Sequence, residues 1–475
     1  MNGKIKSNVV YDKNEIVNPT IFDSLYGKFR LDELIPGKPK LFTTKELMEV
    51  INSIEFQRLR DVRLSNINSL FLYSSSNVTR FEHSIGTAYL ATRLADNLNI
   101  SDRDKCHLFF AALLHDLASP PFGHSVEYIF KNLTPDYSHE KNIQKILMNI
   151  DDSEDNIFGR HTQIEGIEVS SAESIAKIKI NNENLDPTEI AEIITGDHKL
   201  GIFLNSPDLD LDNIDNIYRL LFQMGFPIDR TDILDTVLGF RYKGGKRLFD
   251  ANKVRLLGKW LESRSRLYNI FMFNLYDFSA KTMIMYATQL AIESDIIDGK
   301  LDWATTDSDL LGKLSSGSDK NIQDITRRFK KSDFFLIEGL FLTYDQTTIN
   351  KFLDFNTKSK IEIELSKLLA EEIIINYIYD KGKLSREIDI DIIDESSISK
   401  EEKKYRIGET SKSMLIGIFS NGNIKNSLKN KDIKKAGIAL SSIIGDKFSV
   451  FPADLEKEIK LKISLESQLS LGAFR

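Results

Sequence analysis

The chain has 475 residues, 41% hydrophobic and 28% charged, with a formal net charge of −7; these values suit a folded globular protein and set aside a disordered one. A single cysteine, Cys106, excludes an intramolecular disulfide framework and a cysteine-based zinc site. MNGKIKSNVVYDKNE lacks an apolar signal segment, no run of about 18 uncharged apolar residues occurs, and the acid excess argues against a duplex-binding face, so a cytoplasmic chain without a membrane span is expected.

In chain order, residues 1–50 read as an irregular, partly extended lead-in with turns at DSLYGK and IPGKPK. From about 45 to 300 the pattern is mainly helical. Phe110, Leu113, Leu114 and Leu117 recur at the spacing of one helix face, as do Ile214, Ile217 and Leu221 after LDLDNIDN. One further helix is predicted over KWLESRSRLYNIFMFNLYDFSAKTMIMYATQLAIES. Residues 298–320 are polar and predict a loop. Beyond them KIEIEL, REIDIDII and MLIGIF carry alternating or short apolar runs that predict strands, and ESSISKEEKKYR predicts a solvated loop or helix face. The fold class expected is mainly α, with small β elements at the N-terminus and in the C-terminal region. The domains expected are 1–300, a helical core with its lead-in, and 301–475, a mixed α/β region.

Three places look chemical. His83 lies in TRFEHSIG, where a helix is expected to begin. His115-Asp116 ends an apolar helix in LLHDLASPPFGHS, and an Asp-rich turn, LDLDNIDNIYR, comes later. Imidazole nitrogens and carboxylate oxygens together suit Mn, Fe, Co or Zn and tolerate Mg. Neighbours on a helix stand about 100° apart, so His115 and Asp116 can lean toward one point. A histidine from the preceding helix and an aspartate from a later one would make four ligands around one divalent ion. Asp210 and Asp215 read equally as helix-capping carboxylates or direct participants, and Asp229 in FPIDRTDILD is a second candidate for the late aspartate. An isolated His-Asp pair is ordinarily a capped or hydrogen-bonded pair; order and flanks carry the signal here.

EFQRLRDVRL, RFEHSIGTAYLATRLA, LLHDLASPPFGHS, YSHE and DLDNIDNIYR, in that order, resemble the HD-domain phosphohydrolase superfamily. Within it they are most similar to the deoxynucleoside triphosphate triphosphohydrolases, over roughly residues 20–290. The resemblance implies a helical HD core around a single metal site, with His83, His115, Asp116 and Asp212 as ligands. It implies attack of water on the α-phosphorus of a deoxynucleoside triphosphate, releasing deoxynucleoside and intact triphosphate. His124 would be the acid, steadied by Glu127, and His139 would be a further active-site histidine. Arg80 and Arg264 would face the triphosphate, while Tyr268 reads either as a nucleoside contact or as a packed helix residue. Arg58 and Arg60 match positions that meet a regulatory nucleotide or hold the core. A homo-oligomer built through the C-terminal region is implied too, with a nucleotide activator left open.

The departures from that pattern are specific. Ser119 stands where the family has an inner histidine, Asn213 replaces a lysine, and Leu64-Ser65-Asn66 replaces the residues that read the sugar. Phe22 and Asn52 do not match the residues that read a regulatory guanine. Two other readings therefore stand beside the first: an HD phosphodiesterase acting on cyclic or modified nucleotides or nucleic acid ends, and a nucleotide sensor without turnover.

Overall fold

The computed structural model describes residues 18–65, 73–133, 139–148, 170–272, 274–297, 305–369, 372–382, 384–394, 402–421, 440–441 and 449–450. It is mainly α with small sheets, the class the sequence predicts. The lead-in is a hairpin, β1 (Thr20–Asp23) and β2 (Gly27–Arg30), whose turn falls in DSLYGK. Helix α1 (Thr44–Ile51) starts at a reciprocal cap: Thr43 accepts from the Glu46 backbone and Glu46 returns to the Thr43 backbone.

Two helices then form the post of the site. Helix α2 (Arg80–Asn97) is capped by Thr79, and α3 (Asp102–Leu114) by Ser101, each hydroxyl taking one of the orphan N–H groups of a first turn. Every residue from Cys106 to Leu114 is buried, because α3 is surrounded on all sides. The helix ends at Leu114; His115 is its C-cap and Asp116 lies in the turn that follows, so these two are not helix-interior neighbours as the spacing suggested. Helices α4 (His124–Leu133), α5 (His139–Met148) and α6 (Pro187–Thr195) follow, then α7 (Leu211–Gln223) and α8 (Arg230–Val237).

Helix α7 packs across α2 at Gly86. A Cβ there would stand 2.1 Å from Arg219 Nη2 and 2.2 Å from Asp215 Oδ1. Only glycine lets that charged pair approach one turn beyond His83.

The hairpin β3 (Phe240–Lys243) and β4 (Lys246–Asp250) precedes α9 (Arg255–Met272) and α10 (Leu275–Glu293). The sequence predicted one helix over the last two. Asn274 instead caps a new helix, its Oδ1 accepting from Asp277 N at 3.2 Å. The predicted loop at 298–320 also contains a helix, α11 (Asp307–Ser316), with a Thr306–Asp309 capping box and Leu310 and Leu314 buried one turn apart.

Helix α12 (Lys320–Lys330), β5 (Leu336–Thr343), α13 (Gln346–Leu353) and α14 (Phe355–Leu369) come next. KIEIEL belongs to α14 and is not a strand: Lys358, Ile361 and Leu365 are buried at helical spacing while Ile363 is 53% exposed. Strands β6 (Ile373–Asp380), β7 (Ile388–Ile393), β8 (Glu402–Ile407), β9 (Ser413–Ser420) and β10 (Ser449–Val450) follow. REIDIDII and MLIGIF thus hold strands as predicted, whereas the EKKYR end of the charge cluster is strand β8; residues 395–401 lie outside the described residues.

One four-stranded sheet runs β10-β5-β9-β6 and a second runs β8-β7-β4-β3. In the second, β4 pairs parallel with β7, Leu248 opposite Asp391, so one sheet joins the helical region to the C-terminal region. Helix α4 packs on α10, its Val126 and Phe130 entering a second core with Phe278 and Met283.

Candidate metal centre

His83 sits one turn into α2, 1% exposed, and both ring nitrogens have defined surroundings. Nδ1 lies 2.7 Å from Asp215 Oδ2. A carboxylate can only accept there, so Nδ1 carries the proton and Nε2 is left with a lone pair. His115 repeats the arrangement with a backbone partner: Nδ1 donates to Ala112 O at 2.9 Å. The two free Nε2 atoms then face each other at 3.1 Å. Two lone pairs at that distance repel, so the pair calls for a proton or a metal cation beside it.

The carboxylates complete the group. Asp212 Oδ1 is 2.9 Å from His83 Nε2 and 3.7 Å from His115 Nε2. Asp116 Oδ2 is 4.0 Å from the first and 3.7 Å from the second. Bonds of about 2.1 Å around an octahedral ion put neighbouring ligands about 3 Å apart and opposite ones about 4 Å apart, the range observed. Asp116 Oδ2 is buried and has no hydrogen-bond partner, a costly state for a charged oxygen that a cation would relieve. The donor set fits a divalent metal.

Asp116 is held from its other side. Arg80 Nη1 reaches Oδ1 at 2.5 Å and Ser119 Oγ donates to the same oxygen at 2.8 Å. Ser119 thus orients the Asp116 carboxylate. Arg58, buried, donates in turn to Ser119 O. Burial would raise the Asp116 carboxyl, but Arg80, His115 and His83 outweigh it and hold it well below the usual carboxylate range. Burial likewise opposes charge on His83, and the Asp212 and Asp215 carboxylates overcome this, lifting its pKa to about 10, so without a metal Nε2 holds a proton toward Asp212 that a bound cation would displace.

Behind the ligands lies a chain of charges the sequence did not make legible. Asp215, fully buried, takes Tyr26 Oη at 2.7 Å, Arg219 Nε at 2.8 Å and Arg219 Nη2 at 3.0 Å. Arg219 Nη1 continues to Asp23 Oδ2 at 3.0 Å, tying the β1–β2 hairpin to the imidazole of α2. Asp215 is therefore neither a cap nor a ligand but the carboxylate that fixes the His83 tautomer. Asp210 does cap α7, accepting from Asn213 N at 2.7 Å. Asp229 caps α8 through Thr231 N and has no contact with the cluster among the described residues.

The remaining predicted residues divide. His124 opens α4 with its side chain 73% exposed, Nδ1 2.8 Å from Glu127 Oε2, while Glu127 Oε1 meets Lys131 Nζ at 2.7 Å. Arg264 is 2% exposed on α9, its guanidinium 4.7 Å over the Tyr268 ring, and Nη1 donates to Asn213 Oδ1 at 3.3 Å. That bond places Arg264 beside the residue after Asp212. Tyr268 is half-buried against Arg264 and the main core. Arg60 lies over Phe81 and donates to Gln57 Oε1, a holding role. His139 begins α5, but its side chain, like Asn66, lies outside the described residues.

The loop from the ligands to His124 is fixed by a residue the sequence gave no sign of. Phe122 has φ +53° and Gly123 φ +50°; for phenylalanine this conformation is strained. Asp307, at the first position of α11, accepts from Phe122 N at 2.8 Å and from Arg63 N at 3.2 Å. Burial lifts the Asp307 carboxyl above its ordinary range, and those two N–H groups oppose the rise. Arg63 pairs across with Thr79, the cap of α2. One carboxylate therefore clamps the backbone before His83 and after Asp116.

A match to known families follows these residues. Residues 80–220 match the HD domain, from the first residue of α2 nearly to the end of α7. The chain carries an HD domain. It is 28% identical over 357 residues to an uncharacterized protein of Methanocaldococcus jannaschii, covering 74% of this chain and 66% of that one. It is 24% identical over 462 residues to the uncharacterized protein YwfO of Bacillus subtilis, covering 88% and 92%. It is 32% identical over 127 residues to a deoxynucleoside triphosphate triphosphohydrolase SAMHD1 homolog of Dictyostelium discoideum, covering 25% of this chain and 24% of that protein. The chain thus spans less than two thirds of the archaeal protein and about a quarter of the Dictyostelium one. Among the described residues no helix is long and apolar enough to cross a membrane.

Proposed function

We propose that the chain is a metal-dependent phosphohydrolase that converts deoxynucleoside triphosphates to deoxynucleoside and inorganic triphosphate. The observation that carries the reading is the convergence of His83 Nε2, His115 Nε2, Asp116 Oδ2 and Asp212 Oδ1, with the Asp116 oxygen buried and lacking a partner. A bound divalent ion would polarise a phosphoryl oxygen and lower the pKa of water. The likeness to the Dictyostelium triphosphohydrolase supports the substrate class.

The chain's own residues would do the rest. Asp215 and the Ala112 carbonyl keep both imidazoles in the tautomer that presents Nε2. Arg80 and Ser119 keep Asp116 from turning away. Water adds to the α-phosphorus, the bond from phosphorus to the 5′ oxygen breaks, and that oxygen leaves with its electron pair. It then takes a proton from His124, whose Nδ1 is held by Glu127. The proton lost by the water restores the balance, so one water is consumed. Arg264, with Tyr268 against it, would meet the phosphates. A role for His139, homo-oligomeric assembly, a cytoplasmic location and a nucleotide activator belong to the same proposal.

The test is product analysis by ion-exchange chromatography. The chain is incubated with each of four dNTPs and four NTPs, with Mn²⁺ or Mg²⁺, beside His115→Ala and Asp116→Ala. Deoxynucleoside plus intact triphosphate, lost by at least about a thousandfold in both variants, supports the reading. No turnover of any of them, even with the others added as activators, sinks it.

A further inference from the structure

A second polar centre lies away from the metal ligands, where the helical region meets the C-terminal one. A cleft of about 290 Å³, partly open to solvent, lies there between α4, α10, α14 and β6. Tyr128 and Ile129 of α4, Met285, Tyr286 and Gln289 of α10, and Ile374 of β6 form its walls. Sites for drug-sized molecules start near that volume, so the space suits one ring with a short substituent. No residue placed at the metal centre lines it.

Helix α14 sends two charged side chains to this cleft. Lys358 is 6% exposed, and its Nζ donates to Glu362 Oε1 at 2.8 Å and to Ile375 O at 3.1 Å. Glu362 Oε1 also accepts from Ile375 N at 2.7 Å. These bonds cover β6, the outermost strand of its sheet, whose edge groups need partners. Covering an edge does not need a charge. Two residues back on β6, Ile373 N donates to the Ser366 hydroxyl at 3.0 Å.

The charged pair is also not used up. An ammonium has three N–H donors, and Lys358 spends two of them. Glu362 has two carboxylate oxygens, and Oε1 carries both side-chain bonds it makes among the described residues. The amide and hydroxyl groups of the cleft, by contrast, are occupied. Asn376 Nδ2 donates to Thr282 Oγ1 at 2.9 Å, and Asn376 Oδ1 accepts from Tyr377 N at 2.9 Å. Thr282 Oγ1 donates to Phe278 O at 2.8 Å. One donor on Lys358 and one acceptor on Glu362 remain, side by side.

Their opposite charges decide what they can hold. An anion would gain from Lys358 and be repelled by Glu362, and a cation would meet the reverse. A neutral group with an acceptor beside a donor meets both with favourable sign, and a planar amide is the simplest one. The Tyr128 and Tyr286 rings and the Met285 thioether suit a flat apolar body attached to it.

We propose that this cleft binds a neutral, ring-bearing amide, its carbonyl accepting from Lys358 Nζ and its N–H donating to Glu362 Oε2. The occupant lies against α4, the helix that begins at His124. The inference does not rest on the triphosphohydrolase reading, and loss of that reading leaves it standing.

The experiment titrates the full chain with benzamide, benzoate and benzylamine by ligand-observed NMR, and follows amide exchange with and without benzamide. Wild type is compared with Lys358→Met, Glu362→Gln, Gln289→Trp and Lys404→Gln, with thermal midpoints to verify folding. Gln289→Trp fills the cleft and leaves the charged pair intact; Lys404 is an exposed β8 side chain remote from the cleft. Wild type should bind benzamide with a Kd of about 1 mM or tighter, at least about tenfold tighter than either charged analogue. Exchange in α4 should slow on binding. Lys358→Met should turn the preference to benzylamine and Glu362→Gln to benzoate, because each leaves one charge unbalanced. Gln289→Trp should lose binding, and Lys404→Gln should match wild type. No benzamide binding by wild type overturns the inference. So does equal binding of a charged analogue, unchanged affinity in Gln289→Trp, or binding that leaves exchange in α4 as it was.

Discussion

The helices before Glu293 and the α/β region after Thr305 serve the same site by different means. The helical region supplies side chains that touch one another: His83 from α2, His115 and Asp116 from the end of α3, Asp212 and Asp215 from α7. The C-terminal region supplies no metal ligand among the described residues. It offers a carboxylate, Asp307, that holds backbone. The difference teaches that ligand geometry and loop geometry are set separately here. Packed helices fix ligands because their side chains cannot move without opening the core. A loop with a strained Phe122 has no such support, and an outside acceptor must hold it.

The sharpest way to break that comparison is Asp215→Asn. The neutral amide loses the charge that faces Arg219 in a fully buried setting and can present an N–H to His83 in place of an acceptor. Metal affinity, read by titration of the metal-stripped chain, should fall about ten- to a hundredfold, and turnover should fall with it. A variant that binds metal like wild type would show that the Tyr26–Asp215–Arg219 network is packing only.

Asp307→Ala should separate the two regions from the other side. Two backbone N–H groups lose their acceptor, at a cost of about 1–3 kcal/mol each if water does not enter. The strained loop before His124 should relax, lowering kcat by about tenfold while metal affinity stays as in wild type. If metal affinity falls as far as kcat does, the loop and the ligands are one unit and the comparison fails.

The smallest effect expected is in the helical body away from the site. His107 of α3 is fully buried, with Nδ1 2.9 Å from Glu189 Oε2. Burial lowers its pKa, and Glu189 counters only part of the fall. Since the folded value lies below the unfolded one of about 6.5, the neutral ring favours folding. That contribution is present above pH 6.5 or so and is lost as pH falls through the folded value. His107→Asn should flatten the decline of unfolding free energy between pH 7 and 5, by about 1 kcal/mol or less, as read by denaturant melts at each pH, and leave metal affinity unchanged. An unaltered pH profile would assign the acid sensitivity elsewhere.

Some mismatches between sequence and structure have plain causes. KIEIEL alternates like a strand, but two of its apolar residues, Ile361 and Leu365, also stand one helical turn apart, and packing on β6 chose that face. The helix at Asp307 was hidden by polar composition although its capping pair, Thr306 and Asp309, was present in the sequence. Asp212 and Asp215 are three residues apart on one helix face, and local spacing cannot say which reaches Nε2 and which Nδ1.

What the sequence by itself determined is what local chain geometry controls. His115 and Asp116 are adjacent, His83 follows a Thr79 cap by one turn, His124 and Glu127 are one turn apart, and the apolar stripe that buries one face of α7 is periodic. Those features need no distant partner to exist. Tertiary structure alone decided the rest: the Asp23–Arg219–Asp215 chain, the passage Gly86 leaves for it and the Asp307 clamp. Each joins segments far apart in the chain: Asp23 and Arg219 are 196 residues apart, His83 and Asp215 132, and Asp307 is 185 from Phe122 and 244 from Arg63. Their pairing depends on how whole helices and sheets pack, and a buried charge finds its partner only after that packing has removed the water that would otherwise have satisfied it.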